Sequence, residues 1–327
     1  MSSILDFCKV YFTFGTSNFT RHEIKILLPN YLRPIGWMLI IPGFILGYLN
    51  VFKSYEIEGF GLLLRDKSTL FTPAFENFTN ELALTLVIAG LLFIAFARLK
   101  REDELTANLR LNALYWAILV NYALYSVFLL LAIFNDIAKT NELFNVIDWL
   151  TGNLKFMIYN LFMPLVLFIA RFNYLLHKSK TEYQVKPLRF LPYKPYNIIG
   201  KVLGIPLAIL SIPLLVESLG NYLGINIDRV FYVLPFIMLV WVYSREKHED
   251  EYINHIRLEA MQVAVYGNYI ILLLSNWFLF NIAFLLTLIF NLVTIPLIFI
   301  IVFRYRLYKL NKPESKSGTN NLNLGIL

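Results

Sequence analysis

A single cysteine, Cys8, stands in a chain of 327 residues. That excludes an intrachain disulfide and any zinc or iron–sulfur site built on several thiolates. Cys8 itself reads as a small apolar residue and not as a nucleophile. Charge is the next scarcity. Only 16% of the residues are Asp, Glu, Lys or Arg, against about 25% in soluble domains, and none falls in the central part of any long apolar stretch. Ionisable groups inside a membrane are the usual mark of proton or sodium pathways, so their lack argues against an ion-coupled transporter. No Gly-rich phosphate-cradling loop and no separate polar domain are present, which excludes a self-contained nucleotide-driven pump or a histidine kinase. Residues 1–19 lack the basic start, apolar core and small-residue cleavage site of a signal peptide. Residues 4–28 read as a retained interfacial segment.

What the chain has in excess is apolar surface. Hydrophobic residues make up 58% of it, with 28 Phe and 20 Tyr. A soluble fold of this length cannot hide so much, so the excess is expected to face lipid. A helix needs about 20 mostly apolar residues to cross the hydrocarbon core. Eight stretches reach or approach that length: 35–51, 82–97, 111–134, 156–170, 198–216, 230–243, 260–274 and 282–303. The sixth is short, and its helix is expected to run on into the charged segment behind it. The seventh and eighth are separated by a tight turn over 275–281 that contains Trp277. The expected fold class is an all-α polytopic integral membrane protein with about eight transmembrane helices.

Basic residues set the expected orientation. Of the 29 Lys and Arg, all but Lys53, Arg65, Lys67, Lys139, Lys155 and Arg229 fall on the side that holds both termini and the second, fourth and sixth connections. The acids divide almost evenly between the two sides. Lys and Arg, and not net charge, decide topology, so both termini are expected in the cytoplasm of a bacterium, with the protein in its inner membrane. The net charge of +7 therefore calls for no nucleic-acid partner.

The chain repeats itself. Arg98-x-Lys100-x-Glu102-Asp103-Glu104 returns as Arg245-x-Lys247-x-Glu249-Asp250-Glu251, and the match runs on without a gap at an offset of 147 residues. Arg110-Leu111 pairs with Arg257-Leu258, Ala113 with Ala260, and Asn121-Tyr122 with Asn268-Tyr269, giving 11 identities over residues 98–122. Ile35-Gly36 and Ile41-Pro42 match Ile199-Gly200 and Ile205-Pro206. Asn160-Leu161, Pro164-Leu165 and Arg171 match Asn291-Leu292, Pro296-Leu297 and Arg304, allowing two one-residue gaps. Four helices per copy is an even number, so the copies enter the membrane in the same sense and form a parallel 4+4 tandem repeat. The expected organisation is an interfacial segment over 1–34, a first four-helix repeat over 35–176, and a basic cytoplasmic linker over 177–197. A second repeat over 198–310 and a disordered cytoplasmic tail over 311–327 complete it.

Three groups of residues are candidates for function. The twin acidic motifs, Glu102, Asp103 and Glu104 with Glu249, Asp250 and Glu251, carry Arg98 and Arg245 ahead of them and Arg110 and Arg257 behind. Facing one another at the cytoplasmic surface they could hold a divalent cation or a basic partner. The plainer reading is structural, with Arg98–Glu102 and Arg245–Glu249 as i,i+4 pairs worth about 0.2–0.5 kcal/mol each. Asn121 and Asn268 lie about 16 Å beyond their arginines at 1.5 Å per residue, near mid-bilayer with Tyr122 and Tyr269. They could line a central path or serve as interhelical glue. His248, Glu251 and His255 share a helical face at a spacing that could ligate a metal, but Tyr252 stands where a His-Glu-x-x-His zinc motif needs its second histidine, and Arg101, Glu104 and Asn108 take the same places in the first copy. No metal and no cofactor is expected.

Eight or so helices, with acidic motifs in the second and sixth connections, resemble the intramembrane prenyltransferases. That resemblance implies a magnesium diphosphate site at Asp103 and Asp250. The family spaces its carboxylates one helical turn apart, whereas here Ala107 and Asn108 follow Asp103 and Glu104 at that distance, and Asn254 and His255 follow in the second copy. A charged motif after the second helix of each half also resembles the major-facilitator transporters, which have six helices per half. As a whole the chain looks like a multi-pass bacterial inner-membrane protein. Its charge gathers at the cytoplasmic face and is missing from the spans. That distribution favours a non-enzymatic regulator or sensor that uses the paired motifs to dock a cytoplasmic or membrane partner. The alternatives are a facilitative transporter of a neutral or amphipathic solute and a prenyl-type transferase.

Overall fold

The computed structural model describes residues 27–63, 75–100, 102–137, 161–179, 189–211, 227–247, 250–279 and 282–311. Among them are eight α-helices: α1 Leu32–Lys53, α2 Thr79–Phe96, α3 Glu104–Ile137, α4 Met163–Ser179, α5 Ile198–Ser211, α6 Ile227–Val242, α7 Glu251–Phe278 and α8 Ile282–Asn311. A short π-helical turn, Tyr193–Asn197, leads into α5. Four stretches are long and apolar enough to cross a membrane: α1, α2, α7 and Phe290–Leu310 within α8. Residues 1–26 of the expected 1–34 segment and 312–327 of the expected 311–327 tail lie outside the described residues, as do most of the linker and the start of the fourth apolar stretch.

The helices pack in the same order in both runs of four. α1 lies along α2 as α5 lies along α6; α3 lies along α4 as α7 lies along α8; α2 touches α4 as α6 touches α8. α3 and α7 meet at the centre, and each also receives the second helix of the other run, α6 on α3 and α2 on α7. The main core is drawn chiefly from α2, α3, α4, α7 and α8, with Ile40 of α1 and Val242 of α6, and a smaller cluster of Leu234, Met238 and Val293 joins α6 to α8.

Small residues decide how close the outer helices come. A Cβ placed on Gly36 of α1 would lie 2.7 Å from the Gly90 carbonyl oxygen of α2, and one on Gly200 of α5 would lie 2.4 Å from Cβ of Trp241 in α6. Only glycine allows the backbones to approach this far, the device that also brings helices together in membranes. The rest of α1 is left outside. Gly36, Ile40 and Gly43 are its buried residues, while Trp37, Met38, Ile41, Phe44 and Ile45 are all at least half exposed.

Two features depart from the expected pattern. The connection between α1 and α2 forms a two-stranded antiparallel ribbon, β1 Gly61–Leu63 with β2 Phe75–Asn77, in the register Gly61↔Asn77. Asn77 ties it to α2 by accepting from the Thr79 amide at 3.0 Å, while its own amide donates to the Ile57 carbonyl at 2.8 Å. In addition, α6 stops at Val242 and does not continue into the charged segment. The backbone there is used otherwise: Leu191 N donates to Tyr243 O and Arg245 N donates to Leu191 O, each at 2.9 Å. The same bridge forms in the first run, where Leu28 N donates to Phe96 O at 3.0 Å and Arg98 N to Leu28 O at 2.9 Å.

The glycine contacts set a testable contrast. Gly200→Ala is expected to push α5 off α6 and cost about 1–3 kcal/mol, the usual range for overpacking. Gly47→Ala, whose new Cβ would lie 3.8 Å from Ala83, is expected to hold or raise stability, since alanine is the better helix former by about 1 kcal/mol. Thermal unfolding of the two variants in detergent distinguishes them, and equal melting temperatures would refute the close-contact reading.

Candidate functional site

The two charged motifs fold into the same turn. After α2 and α6 the chain runs non-helically, exposing Arg98 and Lys100 in one copy and Arg245 and Lys247 in the other. Aspartate then caps the next helix. Asp103 Oδ1 accepts from the Thr106 amide at 2.8 Å and from its hydroxyl, and Asp250 Oδ1 accepts from the Ile253 amide at 2.8 Å. Each satisfies an amide that the first helical turn leaves without a partner. The Thr106 hydroxyl, and then its amide, hold the Asp103 carboxyl below its ordinary 3.8. Glu104 and Glu251 follow in the first turn, exposed, where the helix dipole favours negative charge. Glu102 turns inward, accepting from the Leu99 amide at 2.8 Å and from Arg110 Nη2 at 3.0 Å. Its partner is thus Arg110, eight residues on, because 98–100 and 102–103 are not helical. Its counterpart Glu249 lies outside the described residues, as does His248.

Among the described residues Arg110 and Arg257 are the most buried charges, 2% and 1% exposed. Each reaches back to the end of the preceding helix. Arg110 Nη1 donates to the Ala95 carbonyl at 2.9 Å, and Arg257 Nη1 donates to the Val242 carbonyl at 2.7 Å. Those carbonyls belong to a helix C-terminus, which leaves acceptors unpaired and carries the negative end of the helix dipole. Each guanidinium also lies on an aromatic face, Arg110 on Phe172 of α4 at 4.5 Å and Arg257 on Phe303 of α8 at 4.8 Å. Phe190 touches both Arg257, at 4.9 Å, and Tyr115 of α3, at 5.1 Å. This places both turns at one end of the bundle. Aromatic stacking crosses there between the runs: Phe96 on Tyr266 and Tyr243 on Tyr115, each at 4.3 Å, with the Tyr243 hydroxyl donating to the Tyr115 carbonyl at 2.6 Å.

Farther into the bundle, Asn121, Tyr122, Asn268 and Tyr269 are all buried. The Tyr122 hydroxyl crosses to α8 and donates to the Leu292 carbonyl at 2.6 Å. That is the carbonyl four residues before Pro296, and a proline has no amide to give it. The tyrosine supplies the missing donor. Asn268 Oδ1 accepts from the Thr294 hydroxyl of α8. A cavity of about 20 Å³ lies beside them, lined by Asn268, Asn291, Thr287 and Thr294 with apolar neighbours, roughly room for one water.

His255 pairs with Glu259 at 3.2 Å, one turn along α7, and Glu259 also pairs with Arg306 of α8. Among the described residues no three of His, Cys, Asp and Glu gather as a metal-ligand group. Glu246 was not singled out in the sequence. It is held by Arg304 Nη2 at 2.6 Å, by Asn197 Nδ2 at 3.2 Å and, more distantly, by Lys201 at 4.0 Å, joining α5 and α8 to the turn after α6. A sequence signal existed: Glu246 is a variable position inside the repeated motif, and Leu99 stands there in the first copy.

No protein-family model matches the chain, and neither a curated protein nor a solved structure is similar to it.

Two measurements check this geometry. Removing one member of a buried ion pair strands the other, at about 3–5 kcal/mol. Arg110→Leu is therefore expected to lose that much in denaturant titration, and Arg110→Leu with Glu102→Leu to lose clearly less. A double variant as weak as the sum of the two single ones would show that no pairing energy exists. For Asp103, the depressed folded value makes its capping contribution complete above pH 3.8 and lost as the pH falls below that value. Asp103→Asn should be less stable than the parent at pH 7, and the gap should close as the pH is taken below 3.8. A gap independent of pH would refute the ionised cap.

Proposed function

We propose that the chain is a bacterial inner-membrane protein built as a parallel tandem repeat of four helices. In this reading all eight helices cross the bilayer and both termini are cytoplasmic. The repeated order of helix contacts supports the duplication, and so do the two arginine bonds, each spanning 15 residues back to equivalent carbonyls. The exposed apolar face of α1 suits lipid. Chain entry beside Ala97 and the C-terminal part of α8 beside Arg257 lie at the same end as the two charged turns, in keeping with termini on one side.

The function we infer is docking: a membrane regulator or sensor that presents its twin turns to a cytoplasmic or membrane protein partner. One observation carries it. Each turn commits its capping and buried groups to the fold and displays two cations and an acid in the same order, Arg98, Lys100 and Glu104, then Arg245, Lys247 and Glu251. Asp103 and Asp250 are engaged as helix caps, which supports a non-enzymatic role over diphosphate binding. The space beside Asn268, about 20 Å³, has room for one water at most, which supports docking over passage of a solute.

Photo-crosslinking residues introduced at Lys100 and Lys247 test the proposal in native membranes. The expected result is one protein captured from both positions, and its loss when Glu104→Gln and Glu251→Gln are combined. These exposed positions leave the buried pairs intact. Capture of lipid alone at both positions, together with solute flux through the protein in liposomes, would overturn it.

A further inference from the structure

The contacts between the two runs are reciprocal. On one side α2 lies against α7. Phe96 at the end of α2 stacks on Tyr266 at 4.3 Å, and Trp277 Nε1 near the end of α7 donates to Thr85 Oγ1 at 2.9 Å. On the other side α6 lies against α3. Tyr243, just past α6, stacks on Tyr115 at 4.3 Å, and Phe236 stacks on Tyr125 at 5.5 Å. In both pairs the helices run antiparallel, and the second helix of one run meets the third helix of the other. An approximate two-fold axis produces this pattern, whereas a head-to-tail arrangement brings unlike faces together. Both charged turns lie at one end of the bundle, so the axis runs along the bundle and relates one turn to the other.

Surface turns vary more freely than the helices they join. Here three exposed residues, Arg98, Lys100 and Glu104, recur unchanged as Arg245, Lys247 and Glu251. The copies differ at residue 99, and there the side chain belongs to the fold: Leu99 packs against the main core, and Glu246 is held by Arg304. The other difference, Arg101 against His248, lies outside the described residues. The described turns thus display the same groups and hide the one that differs. A protein that reads both in the same way has to carry its own site twice, about the same axis.

We propose that the partner of the twin turns is a soluble homodimer that sets one copy of a single site on each turn. That site offers carboxylates to the arginine and lysine and a cation to the glutamate. A second copy of this chain does not fit, because in the same bilayer its turns point the same way. Two equal contacts held at a fixed separation act as one bivalent site. The inference rests on the tandem repeat and the docking role proposed above.

Photo-crosslinking from Lys100 and Lys247 tests it through the place of attachment on the captured protein, read by sequencing the crosslinked peptides. Both positions are expected to attach to the same residue of one protein. Native mass spectrometry of the complex is expected to show two partner chains on one full chain. Attachment at two unrelated residues, or one partner chain per full chain, would overturn the inference and leave the docking role standing. Capture of no protein from either position would remove the docking role and the inference with it. The purified captured protein gives a second check on the full chain in detergent. Lys100→Glu and Lys247→Glu, both at exposed positions, are each expected to weaken its binding about a hundredfold, the loss when a bivalent contact becomes monovalent. Weakening by only one of the two would overturn the inference, because the turns would then not be read alike.

Discussion

A guanidinium removed from water has to find acceptors, and the rest of the bundle is arranged around the two that are. Arg110 and Arg257 each sit one turn and a half into a central helix and bond to the last carbonyls of the helix before it. The cost of burying a charge is offset only when geometry and hydrogen bonding are both favourable. Meeting that condition fixes the angle at which α2 meets α3 and α6 meets α7. It also fixes the rings beneath, Phe172 and Phe303, and so the places of α4 and α8. The charged motif ahead of each arginine is the connection that this bond allows.

The same end of the bundle separates two uses of charge. Groups that hold the turn are turned inward or bonded to backbone: Glu102 to Arg110, Asp103 and Asp250 to helix amides. Groups without that duty lie outside, in the same order twice. A surface of mixed charge supported by rigid caps is well suited to recognition, because its display does not depend on long side chains finding one another in solvent, where such pairs are worth little. The polar residues deeper in the core have the opposite character. Asn268 bonds to Thr294 and Tyr122 to Leu292, so they bind helix to helix.

Much of this was legible in the sequence, for particular reasons. Long apolar runs announced the helices, and their composition put four of them within reach of a membrane crossing. The 147-residue offset located Arg110 and Arg257 as a pair, and their burial could be suspected from their place at the rim of an apolar run. What could not be read was the direction in which each side chain turns. Glu102 matched the i,i+4 spacing to Arg98, but that rule holds only on a helix, and the bridge from Leu28 to Ala97 keeps this segment extended. The ribbon at 61–77 was hidden for a similar reason: three-residue strands carry too short a pattern to separate from a loop. Glu246 was passed over because it occupies one of the two places in the motif where the copies disagree, and its value lay in that disagreement.

The bond from Tyr122 to Leu292 also sets an order of assembly. A ribosome delivers α3 well before α8, so the hydroxyl is in place before the proline-interrupted helix is made. The last helix carries a backbone acceptor that its own segment cannot satisfy, and completion of α8 depends on a residue translated 170 positions earlier. A chain cut between the two runs would leave that acceptor without its donor. The later half is thus, in its backbone chemistry, a client of the earlier one.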